Sequence, residues 1–237
     1  MDKQTLRESV WDHLQDSGEA RFPFPPHGRI PNFAGADDAA DRLVDLPEWA
    51  DADTLKANPD APQLPVRRRA LAAGKSVYMA VPRLTDERCF YRLDPAELDD
   101  PDAAATVSGV ADHADQVGPD AVEPIDLVVV GSVAVSTEGA RVGKGEGYSD
   151  LEFAVLSELG LVDEDTTVVT TVHESQVREA IAVDAHDVPL DVVITPERTI
   201  RTETQYRRPE GIDWAALDDE RIEEIPVLDR FDPYVSE

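Results

Sequence analysis

The segment from Arg141 to Tyr148 is the part of this sequence best suited to chemistry. It reads Arg-Val-Gly-Lys-Gly-Glu-Gly-Tyr, with a glycine at every second position from 143 to 147. Such spacing lets the backbone approach a ligand and turns successive N–H groups toward it. Arg141 and Lys144 add positive charge. The pattern predicts a site for an anion such as phosphate, although the same spacing also suits a flexible hairpin tip with a solubilising cation.

The elements on either side of this loop favour the anion site. Residues 125–130 (IDLVVV) form a nearly continuous apolar run, as in a central parallel strand that is buried on both faces. Ser149 and Glu152 have the S-x-x-E spacing of a capping box, which predicts that a helix begins here and continues to 159. A loop that leads into a helix N-terminus binds anions because free N–H groups and the helix dipole point at it.

A second glycine-lysine pair does not predict a nucleotide site. Gly74-Lys75-Ser76 resembles the end of a P-loop, but that motif needs a glycine five residues before Gly74, where this chain has Arg69. Gly74 also follows a predicted helix and precedes a strand, which is the reverse of the P-loop order.

The first predicted helix, residues 3–16, carries two cations on its apolar side. Lys3, Arg7, Val10 and Leu14 are spaced at i, i+4, i+7 and i+11 and therefore share one face. One interpretation is that the aliphatic stems pack while the charged ends reach water. The other is that both charged ends point into a cleft and hold phosphate groups.

Charge is the strongest global signal in the sequence. Its 237 residues include 50 acidic and 22 basic residues, for a net charge of -28. Such a surface repels nucleic acid and suits concentrated salt, because at about 1 M salt the Debye length falls to about 3 Å. We therefore expect a salt-adapted protein that does not bind nucleic acid.

Other features of the sequence favour a cytoplasmic protein. There is no apolar run of 18 or more residues that could span a membrane, and the first residues are charged rather than signal-like. The single cysteine, Cys89, has no internal disulfide partner. We expect a reducing cytosol and no membrane association.

Helix and strand signals alternate along the chain, which predicts an α/β layered fold with a mainly parallel sheet and one domain over 1–237. The arginines at 67–69 are predicted to be a solvated helix face. The predicted helices are 3–16, 36–44, 63–73, 150–159, about 175–181 and 213–224, and the predicted strands are 54–58, 76–81, 89–93, 125–130, 167–172 and 190–195.

Three segments resemble 5-formyltetrahydrofolate cyclo-ligases (methenyltetrahydrofolate synthetases). Lys3-x-x-x-Arg7 is similar to the start of that family, and residues 141–150 are similar to its glycine-rich motif. Asp187-Val-Pro-Leu-Asp191 is similar to its late Asp-rich strand motif. Residues 29–36, 58–63 and 209–214 resemble a divergent branch that includes the methenyltetrahydrofolate-synthetase-domain-containing proteins.

The resemblance implies a three-layer α/β sandwich related to the NagB/RpiA/CoA-transferase group, in a monomeric protein. It implies conversion of 5-formyltetrahydrofolate to 5,10-methenyltetrahydrofolate with ATP and Mg²⁺, releasing ADP and phosphate. Asp150 and Asp191 match metal positions, and Lys144 and Arg141 match catalytic positions. The implied nucleotide-binding residues are Lys3, Arg7, Arg141, Gly143, Lys144, Gly145, Glu146, Gly147 and Tyr148.

The sequence departs from the family mainly in the folate half of the site. Ser149 replaces a second tyrosine, Leu151 replaces an arginine, and residues 58–63 lack a glutamate that contacts folate in family members. Asp60 and Gln63 are the nearest substitutes, with Tyr148 as a further substrate contact. Two alternatives therefore stay open: an ATP-using relative with another substrate, which thiamin metabolism could supply, and a non-catalytic nucleotide-binding protein.

Overall fold

The structure is a computed structural model that describes residues 1–231. Its α-helices are α1 (Lys3–Asp16), α2 (Ala36–Val44), α3 (Pro47–Asp51), α4 (Leu64–Ala72), α5 (Pro101–Ala104), α6 (Val110–His113), α7 (Tyr148–Glu158) and α8 (Asp219–Glu224). Its strands are β1 (Ala20–Arg21), β2 (Asn32–Phe33), β3 (Thr54–Ala57), β4 (Ser76–Ala80), β5 (Phe90–Leu93), β6 (Asp115–Val117), β7 (Leu127–Val129), β8 (Ala134–Ser136), β9 (Arg141–Val142), β10 (Thr167–Thr171), β11 (Val177–Arg178), β12 (Val192–Ile194) and β13 (Thr199–Arg201).

An eight-stranded sheet forms the centre of the fold, in the order β13-β12-β10-β7-β3-β4-β5-β6. The neighbours from β12 to β4 run parallel, while β13, β5 and β6 are antiparallel strands at the two edges. The predicted α/β class with a mainly parallel sheet is confirmed. Strand β7 lies between β3 and β10, where its apolar sequence had placed it.

Both faces of this sheet are buried, because helices cover each of them. Val128 and Val130 face a core that includes α7, whereas Leu127 and Val129 face a core that includes α2 and α4. Successive residues of a strand point to opposite faces, so a strand in the middle layer must be apolar throughout. The layers are those of an α/β sandwich.

A third, smaller apolar cluster fixes the position of the first helix. Val10 and Leu14 of α1 pack with Ala134 and Val142 of the β8–β9 hairpin. That hairpin joins β11 in a three-stranded sheet in the order β11-β8-β9. Since β9 leads directly into the glycine-rich segment, this packing brings α1 across the base of that segment.

The predicted helix at about 175–181 is wrong. A 3-10 turn, Glu174–Gln176, is followed by strand β11, which pairs in parallel with β8. The buried amide of Gln176 explains the difference, because its Nε2 donates to the carbonyl oxygens of Ser132 and Val133 at 3.1 and 3.0 Å. These bonds hold the segment against the hairpin in extended form.

The predicted helix 213–224 is divided in two. A 3-10 turn, Trp214–Ala216, precedes α8, and the extended Leu217 lies between them. Asp218 begins α8 by accepting a hydrogen bond from the backbone N–H of Arg221 at 2.8 Å. Within residues 1–231, no helix is both long and apolar enough to cross a membrane. Residues 232–237, part of the expected single domain, lie outside the described range.

Candidate active site

The glycine-rich segment forms a loop between β9 and α7, and two of its glycines have left-handed backbone. Gly145 has φ 108° and Gly147 has φ 70°. Residues with a side chain rarely adopt such angles, so the backbone requires glycine at positions 145 and 147. Gly147 is the N-cap of α7 and no side chain caps the helix. The first N–H groups of an eleven-residue helix are therefore left for a ligand.

The predicted capping box is wrong, because both of its residues are used elsewhere. Ser149 Oγ accepts a hydrogen bond from Asn58 Nδ2 at 3.2 Å, and Glu152 pairs with Lys56 in the interior. The helix consequently begins at Tyr148 rather than after Ser149. The helix itself is confirmed, and its uncapped start points at the glycine loop.

Arg7 lies against the glycine loop. Its Nε donates to the carbonyl oxygen of Gly143 at 2.8 Å, and a Cβ atom at Gly145 would lie 3.3 Å from its Cζ. Burial lowers the pKa of Arg7, while the charge of Asp187 opposes that shift. The guanidinium group therefore adds positive charge directly beside the loop, at the position that the helix-face spacing indicated.

Lys3 has different partners. Its Nζ lies 2.7 Å from Asp184 Oδ2 and 2.5 Å from Asp187 Oδ2. Burial opposes its charge, but these carboxylates outweigh that effect and raise the pKa of Lys3. Lys3 thus joins α1 to the segment before β12.

Arg141 and Asp150 form a buried ion pair at the base of the loop. Arg141 Nη2 donates to Asp150 Oδ1 at 2.5 Å, and Nη1 donates to the carbonyl oxygen of Gly131 at 2.9 Å. Asp150 Oδ1 also accepts the N–H of Val188 at 3.0 Å. Among residues 1–231, both hydrogen bonds to the Asp150 carboxylate go to Oδ1, and none goes to Oδ2. Arg141 therefore orients Asp150 and leaves one carboxylate oxygen for a ligand.

The structure does not bring Asp191 to Asp150. Asp191 Oδ2 accepts the N–H of Val168 at 2.7 Å and Arg208 Nη2 at 2.5 Å. Arg208 in turn donates to the carbonyl oxygen of Asp163, which follows the C-terminal end of α7. Asp150 is in the first turn of that helix, so the two carboxylates lie toward opposite ends of it.

Asp187 is the acidic residue of the same motif that adjoins the backbone contact with Asp150. It directly precedes Val188, whose N–H binds Asp150, and it pairs with Lys3. The family resemblance implies a metal position at Asp191, the other end of this motif. The spacing of Asp187 and Asp191 carried no signal for which one faces the loop, because that depends on where the extended chain enters the sheet.

The remaining loop residues are held from the outer side. Lys144 Nζ pairs with Glu146 Oε2 at 2.7 Å, and both side chains are partly exposed. The guanidinium group of Arg221 lies over the ring of Tyr148, with its Cζ atom 4.4 Å from the ring centroid. Arg221 was not among the predicted site residues, since it comes from a helix more than seventy positions away in the sequence.

Asp60 reaches the site from the turn after β3. A Cβ atom at Gly131 would lie 2.8 Å from Asp60 Oδ2 and 2.9 Å from Ile30 Cγ1, so only glycine fits there. Burial raises the pKa of Asp60, and the charge of Lys144 opposes the shift.

Gln63 has an unsatisfied polar group in a fully buried position. Its side chain is 0% exposed, its Nε2 lies 3.5 Å from Thr171 Oγ1, and its Oε1 has no hydrogen-bond partner. A buried acceptor without a donor costs about 1–3 kcal/mol. A ligand N–H group would remove that cost.

Arg67 is not part of a solvated helix face. It is 1% exposed, and it donates to the carbonyl oxygens of Asn58 at 2.5 Å, Asp60 at 3.1 Å and Ala105 at 2.8 Å. Burial lowers its pKa to about 10. Arg67 therefore supports the turn that carries Asp60. Arg68 and Arg69 do form surface ion pairs.

Fold and site together define an α/β sandwich protein with a glycine-rich loop at a helix N-terminus. A family model described as the 5-formyltetrahydrofolate cyclo-ligase family matches residues 1–196. The chain belongs to this family.

Curated relatives and a solved structure agree with this assignment. The chain is 44% identical to a methenyltetrahydrofolate synthase domain-containing protein of Mus musculus and 42% identical to one of Bos taurus, each over 95% of this chain. It spans 62% and 60% of those two proteins. The fold is similar to Aquifex aeolicus 5,10-methenyltetrahydrofolate synthetase, with a TM-score of 0.56, 22% identity, and coverage of 90% of this chain and 99% of the other.

Proposed function

We propose that this chain converts 5-formyltetrahydrofolate and ATP, with Mg²⁺, to 5,10-methenyltetrahydrofolate, ADP and phosphate. In this reaction the γ-phosphoryl group passes to the formyl oxygen. N10 then attacks the formyl carbon, the bond from that carbon to the phosphorylated oxygen breaks, and N10 loses its proton. The uncapped start of α7 with Arg7 beside it is the observation that best supports the proposal, because this step needs a cradle for phosphate.

The loop residues have distinct roles in binding the nucleotide. The N–H groups at the start of α7 bind phosphate oxygens, and Arg7 and Lys144 neutralise their charge. Lys144 is partly exposed, and on nucleotide binding its ammonium group exchanges the carboxylate of Glu146 for a phosphate group. The left-handed backbone at Gly145 and Gly147 keeps side chains out of the path of the ligand.

Asp150 and Asp187 are the residues proposed to hold magnesium. The free Oδ2 of Asp150 fits this role, and the metal typically takes one or two protein carboxylates along with phosphates and water. Bound magnesium would neutralise charge on the transferring phosphoryl group. Arg141 holds Asp150 in place, so we assign it a positioning role. Asp191 is not proposed as a metal ligand, because its contact with Arg208 places it toward the other end of α7.

The substrate half of the site is proposed to consist of Asp60, Gln63 and Tyr148. The pterin ring offers N–H donors, and the buried Oε1 of Gln63 is an acceptor that lacks one. Gln63 carries no charge, so it binds such a donor more weakly than glutamate would. We therefore expect weak folate binding, rather than nucleotide binding, to limit the rate of turnover.

The deciding experiment measures the absorbance of methenyltetrahydrofolate formed from 5-formyltetrahydrofolate, ATP and Mg²⁺ in concentrated KCl. Wild type is expected to form product, and Gln63→Glu with Ser149→Tyr is expected to form it faster. Lys144→Ala should weaken Mg-ATP binding about tenfold, as loss of a charged hydrogen bond predicts. Lys75→Ala is the control, because Lys75 lies over Trp49 away from the loop. Mg-ATP binding without any product from either protein would contradict the proposed reaction.

One observation favours a second candidate, an ATP-dependent relative with another substrate. Leu151, where family members have arginine, is 7% exposed and packs in the core beneath α7. A charged side chain cannot be restored there without cost. Direct binding of unreacted 5-formyltetrahydrofolate separates the two candidates, because only the first requires it.

A further inference from the structure

A pocket of about 340 Å³ adjoins the outer side of the glycine loop. One wall consists of Gly145, Glu146 and Tyr148, and another consists of residues of α8 that include Arg221. Arg83 completes the lining from the segment after β4. The pocket therefore shares the loop with the proposed nucleotide site.

Arg221 is held rigidly at this pocket. Its guanidinium lies over the Tyr148 ring, its Nη2 donates to the Glu146 carbonyl oxygen, and a Cβ atom at Gly147 would lie 3.6 Å from the same Nη2. Its Nε is buried and has no hydrogen-bond partner. A guanidinium has five donors in a planar fork, which leaves several of them for an oxyanion.

Arg83 is placed by an unusual backbone conformation. Arg83 has φ 59° and ψ 13°, and the following Leu84 has φ 56°. Left-handed angles in two successive non-glycine residues are costly and must be maintained by their surroundings. Leu84 is 0% exposed and anchors the turn, whereas Arg83 is exposed at the pocket. The left-handed turn thus places the positive charge of Arg83 at the pocket.

Within residues 1–231, neither arginine has a carboxylate partner. In the described part of the chain, no ion pair within 4.0 Å involves Arg83 or Arg221. This occurs in a protein with 50 acidic and 22 basic residues. Asp218 already accepts the N–H of Arg221, and it lines the pocket together with the acidic residues Glu146, Glu220 and Glu224.

We propose that Arg83 and Arg221 form a second oxyanion site, which binds a phosphate or carboxylate group of the ligand held by the glycine loop. Arg221 donates through its free N–H groups, and Arg83 closes the other side. Glu220 and Glu224 repel anions that do not reach both arginines, so they add selectivity. The identity of the ligand rests on the proposed function, but the oxyanion site does not.

Calorimetry with two probes tests the site and distinguishes the sources of the oxyanion. Inorganic tripolyphosphate represents a nucleotide, and 5-formyltetrahydrofolate with a single or an extended glutamate tail represents carboxylates. Arg221→Gln and Arg83→Gln are each expected to raise the Kd for one of the two kinds of probe by about tenfold. A loss with tripolyphosphate assigns the site to phosphate, and a loss confined to the extended tail assigns it to carboxylates.

Matched variants separate this role from an effect on folding. Arg221→Lys should recover part of the affinity, and Glu224→Gln should lower the Kd by removing a repelling charge. Arg207→Gln is the control, because Arg207 is exposed and does not line the pocket. Wild-type Kd values in both arms for Arg221→Gln and Arg83→Gln, or no binding of either probe to wild type, would overturn the proposal. A wild type that binds the probes yet makes no methenyl product refutes only the proposed reaction.

Discussion

The ammonium group of Lys56 and the carboxylate of Glu152 form an ion pair inside the protein, where their side chains are 2% and 8% exposed. Lys56 is on β3 and Glu152 is on α7. Lys56 Nζ also donates to Asn58 Oδ1 at 2.6 Å, and Asn58 Nδ2 donates to Ser149 Oγ. Buried charges are costly unless they are paired, so this network fixes the start of α7 relative to the central sheet. The glycine loop immediately precedes that point.

We predict that Lys56→Met lowers the free energy of unfolding by about 3–5 kcal/mol, because it leaves a buried carboxylate without its partner. Combining it with Glu152→Leu should recover most of the loss, since no charge then remains in the interior. Urea denaturation followed by circular dichroism, at one salt concentration, measures both changes.

The surface pair Arg198–Glu174 provides the control for this prediction. Its side chains are 54% and 26% exposed, and Arg198→Gln should cost no more than about 1 kcal/mol. An effect of Lys56→Met as small as that of the control would show that the buried pair does not hold the sheet and α7 together.

We predict that Asp150→Asn and Asp187→Asn each weaken ATP binding only when magnesium is present, because each removes a carboxylate that we propose as a metal ligand. The expected loss is about tenfold for each variant. Calorimetric titration of ATP with and without Mg²⁺ measures the difference. Asp191→Asn should leave this affinity unchanged, although it should lower stability by breaking the contact with Arg208. A defect in Asp191→Asn that depends on magnesium would instead restore Asp191 as the metal ligand.

We predict that Asp60→Asn stabilises the protein more at about pH 7 than at about pH 4. Burial raises the pKa of Asp60 in the folded state. Such a group favours folding below its unfolded pKa of about 3.9, and this contribution is lost as the pH rises through the folded value. Asparagine has no charge to bury, so the variant does not lose stability as the pH rises through the folded-state pKa of Asp60. Denaturation of both proteins across this pH range measures the difference.

Asp99→Asn removes the same charge from an exposed position and controls for the change in net charge. A stability gain at neutral pH that is equal in the two variants would show that burial of Asp60 is not its cause.

We predict that the thiol of Cys89 reacts with a disulfide reagent only when the protein opens, and that it opens more readily in dilute salt. Cys89 is 0% exposed and burial raises its pKa to about 12. With a net charge of -28, lowering the salt from about 2 M to about 0.1 M lengthens the range of carboxylate repulsion. The labelling rate should therefore rise as salt is removed, whereas a rate independent of salt would refute adaptation to concentrated salt.

Local sequence patterns predicted the central layers of the fold. The apolar run at 125–130 became β7, buried on both faces, and the amphipathic segments at 3–16 and 36–44 became α1 and α2. These patterns succeed because apolar residues on the buried face of a helix or strand recur with the period of that element. The segment 175–181 failed because the amide of Gln176 binds carbonyl groups more than forty positions earlier.

By itself, the sequence determined the glycine loop and the face of α1 that carries Arg7, since each depends on residue type and short-range spacing. Only the tertiary structure decided that Arg7 lies beside this loop, that the segment after Asp187 contacts Asp150, and that Arg221 covers Tyr148. The physical reason is the range of the interactions. Backbone angles and helix faces depend on near neighbours, whereas the partner of a side chain depends on which distant segments the packed sheet brings together.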